Sequence, residues 1–210
     1  VYECVDGCHN AARIVEASGL SSFAVFKNLS QLLDGSFIEP LPTTDLIPLG
    51  QQCLDADRPS DAINLFEKAV ELDVGVPEVH NLAAKAYEAI AEFENAGHHL
   101  KCSAEFKIAA EEWRSAAEDL QAAVTMIPTD LGARERLVAL ALEYPQARLP
   151  EFDPYEEGKV LVGLLVGAGE LARVRSILEG LVAARPEDLE LKKILVTVHT
   201  KAGDQARVAE

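Results

Sequence analysis

What this 210-residue chain has little of narrows its class before any motif is read. Basic residues are few: 19 Lys and Arg face 35 Asp and Glu, leaving a net charge of −16 and a pI near 4.7. A chain this acidic is repelled by phosphate backbones and anionic membranes, which argues against generic nucleic-acid or lipid-surface binding. Long apolar runs are missing as well. The most apolar stretch, Val160 to Val166, is seven residues long, whereas a membrane-spanning helix needs ~18. No basic segment leads into an apolar one, so secretion is not expected. Four cysteines (Cys4, Cys8, Cys53 and Cys102) are too few for a disulfide framework in a chain of this size. They are expected as buried reduced thiols in a cytoplasmic protein. Methionine occurs once, at Met126, and the chain opens with Val1, so a piece of a longer protein is expected.

Catalytic signatures are absent too. There is no Gly-x-Ser-x-Gly elbow, no Gly-x-x-x-x-Gly-Lys phosphate loop and no His-Glu-x-x-His. Adjacent acids such as Glu111-Glu112 and Glu156-Glu157 point apart on a helix and make poor acid/base partners. Gly163, Gly167 and Gly169 fall inside a helical pattern, where close packing and a turn explain them. Cys4, Cys8 and His9 form a Cys/His cluster without the second ligand pair that a structural zinc site uses. His98 and Cys102, four apart, share a helix face, so a metal site is open there beside the simpler reading of surface histidines and a half-buried cysteine. The expectation is no enzyme, no metal and no cofactor.

What is present is repetition. Leu49-Gly50 is followed by Ala62, Phe66 and Ala69; Ala84 and Tyr87 by Ala96 and Leu100. Ala116, Leu120, Ala123 and Pro128 repeat the second half, as do Val174, Leu178, Leu181 and Pro186 after Leu161-Val162, Leu165 and Gly169. A partial last unit shows Leu195-Val196, His199 and Gly203. Small residues at these spacings let paired helices approach closely. Ala62 to Ala96 spans 34 residues but Ala96 to Ala116 only 20, so one helix near Glu92–Ala109 serves two units. Pro145, Pro150 and Pro154 forbid a continuous helix and mark a loop, either a hinge or an ordered crossing segment. Expected helix starts are Asp45 with Pro48 in the first turn, Ser60 with Asp61, and Thr129 or Asp130.

These units resemble tetratricopeptide repeats over roughly Thr43 to Glu210. The first departs from the family's preferences at Cys53 and Val74. The resemblance implies an all-α helical-hairpin solenoid with a concave groove lined by first-helix positions. By register those are Ile47, Gln51, Asn81, Lys85, Glu135, Lys159 and Lys193, and the partner would be a protein or peptide. Chaperone-binding members clamp a terminal carboxylate with lysine and asparagine. Ile47 and Gln51 occupy such places here, so that activity is not implied.

Residues 1–41 lack the repeat. A short helix near His9–Ala17, a turn at Ser18-Gly19 and a longer helix over Ser21–Leu33 are expected. Ile14, Val15, Phe23, Val25, Phe26, Leu29, Leu32 and Leu33 would form the apolar face, with a short strand at Phe37-Ile38. In order, Asp6-Gly7, Ile14, Ser18-Gly19-Leu20, Phe23, Leu29, Leu32-Leu33 and Phe37-Ile38-Glu39-Pro40-Leu41 resemble the winged helix of bacterial regulatory proteins that carry a PATAN-type domain and tetratricopeptide repeats. A winged helix raises DNA binding as the alternative function, with Ser21–Leu33 as the recognition helix. Against it, this segment has a net charge of −3 and the helix one basic residue, Lys27. The expected organisation is therefore 1–41 winged-helix-like, 42–144 repeats, 145–154 proline-rich loop and 155–210 further repeats. The expected function is a protein-interaction scaffold in a bacterial signalling or regulatory protein.

Overall fold

The computed structural model describes residues 1–201. They are all-α, with no strand among the described residues. The chain divides into two compact units, residues 1–103 and 104–210.

In the first unit, α1 (Ala11–Ser18) starts where the Asn10 side chain accepts the Arg13 N–H at 3.0 Å and stops at Gly19, whose φ of 65° is left-handed. Ser21 caps α2 (Ser22–Asp34) by accepting from the Ala24 N–H. Ile14 and Val25 turn inward, but the apolar face expected here is only half used. Phe23, Phe26 and Leu33 are exposed, because α2 also carries an outward apolar stripe that α1 does not cover. The strand expected at Phe37-Ile38 does not form. The Phe37 and Ser36 amides donate to Leu32 and Leu33 carbonyls and close the end of α2, and no neighbouring strand is available to pair with them.

The hairpins follow as α3 (Leu46–Asp55), α4 (Pro59–Glu71), α5 (Glu78–Ala89) and α6 (Phe93–Ala109), whose residues from Ala104 onward belong to the second unit. Gly50 lies against Phe66: a Cβ there would come within 2.4 Å of the ring. Ala62 and Ala69, one helical turn either side of Phe66, are fully buried and bring α4 close to α3. Pro59, with no amide hydrogen to lose, occupies the first position of α4, one residue ahead of the expected Ser60 start. Asp45 precedes α3, but its carboxylate accepts from the Thr44 hydroxyl and leaves the helix amides uncapped. Cys8 packs into this hairpin core beside Cys53.

In the second unit, α7 (Trp113–Met126), α8 (Leu131–Glu143), α9 (Pro154–Ala168), α10 (Leu171–Ala184) and α11 (Leu189–Lys201) pack each against the next. Asp130 caps α8 through the Gly132 and Ala133 amides, and Asp153 caps α9 through Tyr155. Leu161, Leu165, Leu178 and Leu181 are fully buried; burial of side chains this size is worth roughly 2 kcal/mol each. The segment after Tyr144 packs against its neighbours. Pro145–Ala147 is a 3₁₀ turn with Ala147 fully buried, and the Arg148 Nε donates to the Ala141 carbonyl at 3.2 Å. Trp113 stacks on Tyr144 at 3.8 Å. Gly163 and Gly167 meet nothing within 4 Å, so they are not packing glycines; Gly158 is, because a Cβ there would meet Leu181 at 2.7 Å. Gly169 does make the turn, at φ 78°. Gly203 lies outside the described residues.

One turn design recurs. Asp57, Ala91, Glu111 and Gly169 each sit five residues before the small or β-branched residue that begins the next seam: Ala62, Ala96, Ala116 and Val174. All four have positive φ, between 58° and 78°. In each, the next residue's amide donates back to a carbonyl five residues earlier, as from Arg58 to Cys53 and from Glu92 to Tyr87. This is the Schellman closure, and it satisfies the last carbonyls of the first helix before the next begins.

Candidate functional site

The seven groove positions expected from the repeat register occupy different chemical situations, and Ile47 is half-buried against the core of the first hairpins. Gln51 on α3 and Lys85 on α5 are exposed in the first unit, as is Lys193 on α11 in the second. None of these three side chains makes a hydrogen bond or ion pair among the described residues. Asn81, one turn before Lys85, donates from Nδ2 to the Ser103 Oγ at 2.8 Å. Glu135 accepts from the Arg173 Nε at 2.8 Å, tying α8 to α10 beside a cleft of about 440 Å³. Lys159 pairs with Glu156 at 3.1 Å and lies 4.6 Å from the Tyr155 ring centre. Arg185 covers that ring at 3.9 Å, and the Tyr155 hydroxyl donates to Asp188. Burial, then the Asp188 carboxylate, push the Tyr155 hydroxyl up to about 12.

Two polar clusters in the first unit escaped sequence reasoning. In one, Asp6 accepts from the Cys8 and His9 amides at 2.9 and 3.0 Å, so the Asp-Gly turn presents Cys8 inward. The Cys8 Sγ lies 2.9 Å from the Cys53 Sγ, and the Arg58 Nη2 lies 3.2 Å from the first sulfur and 3.6 Å from the second. Arg58 also reaches Asp6 at 3.3 Å and Asp61 at 3.8 Å, while Arg13 and His9 approach the buried Asp61 at 3.7 and 3.9 Å. Burial and the neighbouring Cys8 sulfur push the Cys53 thiol up to about 12. Cys53, a departure from the repeat's aromatic preference, was the available signal, but its partner is 45 residues away.

In the other, Glu67 accepts from the Tyr87 hydroxyl at 2.8 Å and lies 2.9 Å from the His99 Nε2. The carboxylate therefore selects the Nε2–H form of His99. Its free Nδ1 lone pair then accepts from the His80 Nδ1–H at 2.9 Å. Burial, followed by the two other histidines, lowers the His80 pKa, keeping that ring neutral. His99 is 5% exposed, which corrects its reading as a surface histidine. Ala96, Leu100, Ser103, Ala104 and Lys107 share its buried stripe, at a spacing the sequence does contain. His98 remains outside, with its Nε2 3.6 Å from the Cys102 sulfur.

Among the described residues, no group of three or more His, Cys, Asp or Glu is placed to hold a metal ion, and no helix is long and apolar enough to cross a membrane. The second unit also has an open cleft of about 720 Å³ whose floor includes Val124, Leu137, Leu149 and Phe152. Arg134 stands on its edge and donates to Glu157 at 2.6 Å.

No family model and no curated protein matches the chain. Solved structures similar to it include a putative kinesin light chain from Podospora anserina with nearly identical tetratricopeptide-like repeats. That pair has 15% identity and a TM-score of 0.39, with 80% of this chain and 100% of that one covered. The MamA protein is similar at 16% identity and a TM-score of 0.37, covering 78% and 94%. A tetratricopeptide repeat protein from Parabacteroides merdae is similar at 13% identity and a TM-score of 0.26, covering 80% and 76%.

Proposed function

We propose that the chain is a non-catalytic scaffold that binds a protein or peptide partner through its first-helix faces, within a bacterial signalling or regulatory protein of the cytoplasm. The observation that carries this reading is the division of labour within each hairpin. Small residues such as Gly50, Ala62 and Ala69 are consumed by the seam. The first-helix side chains Gln51, Lys85 and Lys193 stay exposed, spend nothing on the fold and make no bond among the described residues. Rigid hairpins present such groups already positioned, so a partner avoids much of the cost of ordering them. Asn81, Glu135 and Lys159 join the proposal as supporting positions whose present bonds a partner would exchange. Nothing favours the DNA-binding alternative: α2 points Phe23 and Phe26 outward and carries a single basic residue, Lys27.

The test is site-specific photocrosslinking in cells. A benzophenone amino acid is placed in turn at Gln51, Lys85 and Lys193, with exposed Ser60 on the second helix α4 as the control site. The expected result is discrete protein adducts at the first three positions and none at Ser60. Adducts of equal yield at the control, or none at the first-helix sites, would overturn the proposal.

A further inference from the structure

We propose that Cys8 and Cys53 are a reversible thiol–disulfide site whose co-substrate is a small-molecule disulfide of the glutathione class. The two sulfurs already touch at 2.9 Å, although they come from parts of the chain 45 residues apart. Two neighbouring groups distinguish this pair from two thiols merely packed in a core. First, the Arg58 guanidinium lies across both sulfurs, 3.2 Å from Cys8 and 3.6 Å from Cys53, where it favours negative charge on sulfur. Asp6 and Asp61 hold it in that position from the other side. Second, Cys8 is 4% exposed and lines an open cleft of about 590 Å³ together with Gly7, His9 and Asn10, whereas Cys53 has no exposed surface.

This asymmetry sets the order of events. The Cys8 thiolate attacks one sulfur of oxidised glutathione, whose S–S bond breaks; one glutathione leaves as thiolate and takes up the proton that Cys8 lost. Cys8 is then in a mixed disulfide. Cys53, kept protonated by burial until this point, loses its proton and attacks the Cys8 sulfur. The mixed S–S bond breaks and the second glutathione leaves, protonated in turn. The protein dithiol is oxidised by two electrons and oxidised glutathione is reduced to two thiols. The product closes a loop that contains α1 and α2, so the front helices become covalently fastened to α3.

The test uses the full chain, reduced and then equilibrated in glutathione buffers of graded potential. Free thiols are trapped with N-ethylmaleimide, and the products are read by intact mass and peptide mapping. The expected result is one two-electron transition, with loss of two hydrogens and a Cys8–Cys53 linked peptide, reversed by dithiothreitol. The wild-type map needs no variant and so does not depend on any variant's folding. In Cys53→Ser the expected product is glutathione held on Cys8. In Cys8→Ser, Cys53 should be modified at least tenfold more slowly than Cys8 is in Cys53→Ser, as its burial and protonation require. Arg58→Met should slow the first step by about tenfold. Failure to form the linkage in the wild-type chain, preferential linkage through Cys4 or Cys102, or faster modification of Cys53 than of Cys8 would overturn the proposal.

Discussion

Two glycines show how differently one residue type works in this chain. Gly50 is required by contact: an added Cβ would press within 2.4 Å of the Phe66 ring, which is fully buried and has no space to retreat into. Gly50→Ala should therefore destabilise the protein by about 1–3 kcal/mol, the usual range for overpacking a core. Gly163 sits inside α9 with nothing near it, so Gly163→Ala should stabilise by about 0.5–1 kcal/mol through lost backbone freedom in the unfolded chain. Urea unfolding of both variants checks the pair, and shifts of the same sign would contradict the argument. A second residue-scale prediction concerns His80, which faces His99, His98 and Glu67. Burial is the largest cause holding its pKa below the ordinary 6.5, so on acidification the unfolded chain takes up this proton before the folded one. Its contribution is complete above pH 6.5 and is lost as pH falls from there through the lower folded value. The urea midpoint should drop between pH 7.5 and 5, and His80→Gln should flatten that slope. An unchanged slope in the variant would remove His80 from the explanation.

At the scale of elements, the helices were far more legible than the joints between them. Gly50, Ala62, Phe66 and Ala69 announced the first hairpin because close helix contact needs small residues at fixed intervals, and all four lie in its seam. The turns were harder to read, since a helix end is usually recognised by glycine. Here three of the four left-handed positions are filled by Asp57, Ala91 and Glu111 and only one by glycine, Gly169, and the backbone closure holds them there. That closure makes a prediction: Ala91→Gly should stabilise by about 0.5–1 kcal/mol. The relief of left-handed strain on a Cβ, about 1–2 kcal/mol, exceeds the added entropy of glycine in the unfolded chain. A lower thermal midpoint for this variant would show that the strain is not borne by Ala91. The strand reading at Phe37-Ile38 failed for the related reason that residue preference was weighed without asking where the backbone bonds go. The Phe37 amide is already committed to Leu32. On the candidate site, register alone nominates Gln51, Lys85 and Lys193, and the structure adds that all three are exposed. The Cys8–Cys53 and His80–His99 contacts depend on tertiary packing between distant positions, and no spacing rule carries that.

For the whole molecule, the dominant quantity is the unbalanced charge. Residues 1–103 carry −10 and residues 104–210 carry −6, so the acidity that opposed nucleic-acid binding is concentrated in the first unit. Many acids are paired, as Glu71 is with Lys68 and Glu118 with Arg114, but exposed pairs of this kind are worth little each. Acids in excess of bases remain in both units, and their mutual repulsion is larger in the compact state than in an expanded chain. Salt weakens both the pairs and the repulsion, so the sign of its effect tells which dominates. With exposed pairs near zero net worth and the charge far from balance, repulsion should dominate. Raising sodium chloride from about 0.02 to about 0.2 M shortens the screening length from roughly 20 to 7 Å, below the spacing of many surface carboxylates. The thermal midpoint should therefore rise by a few degrees, and hydrogen-exchange protection should rise more in α3–α5 than in α8–α10. A midpoint that falls with salt would mean that the ion pairs outweigh the net charge. A rise confined to the second unit would mean that local pairing in the first unit, such as that of Arg13 and Arg58 with the buried Asp61, offsets its repulsion.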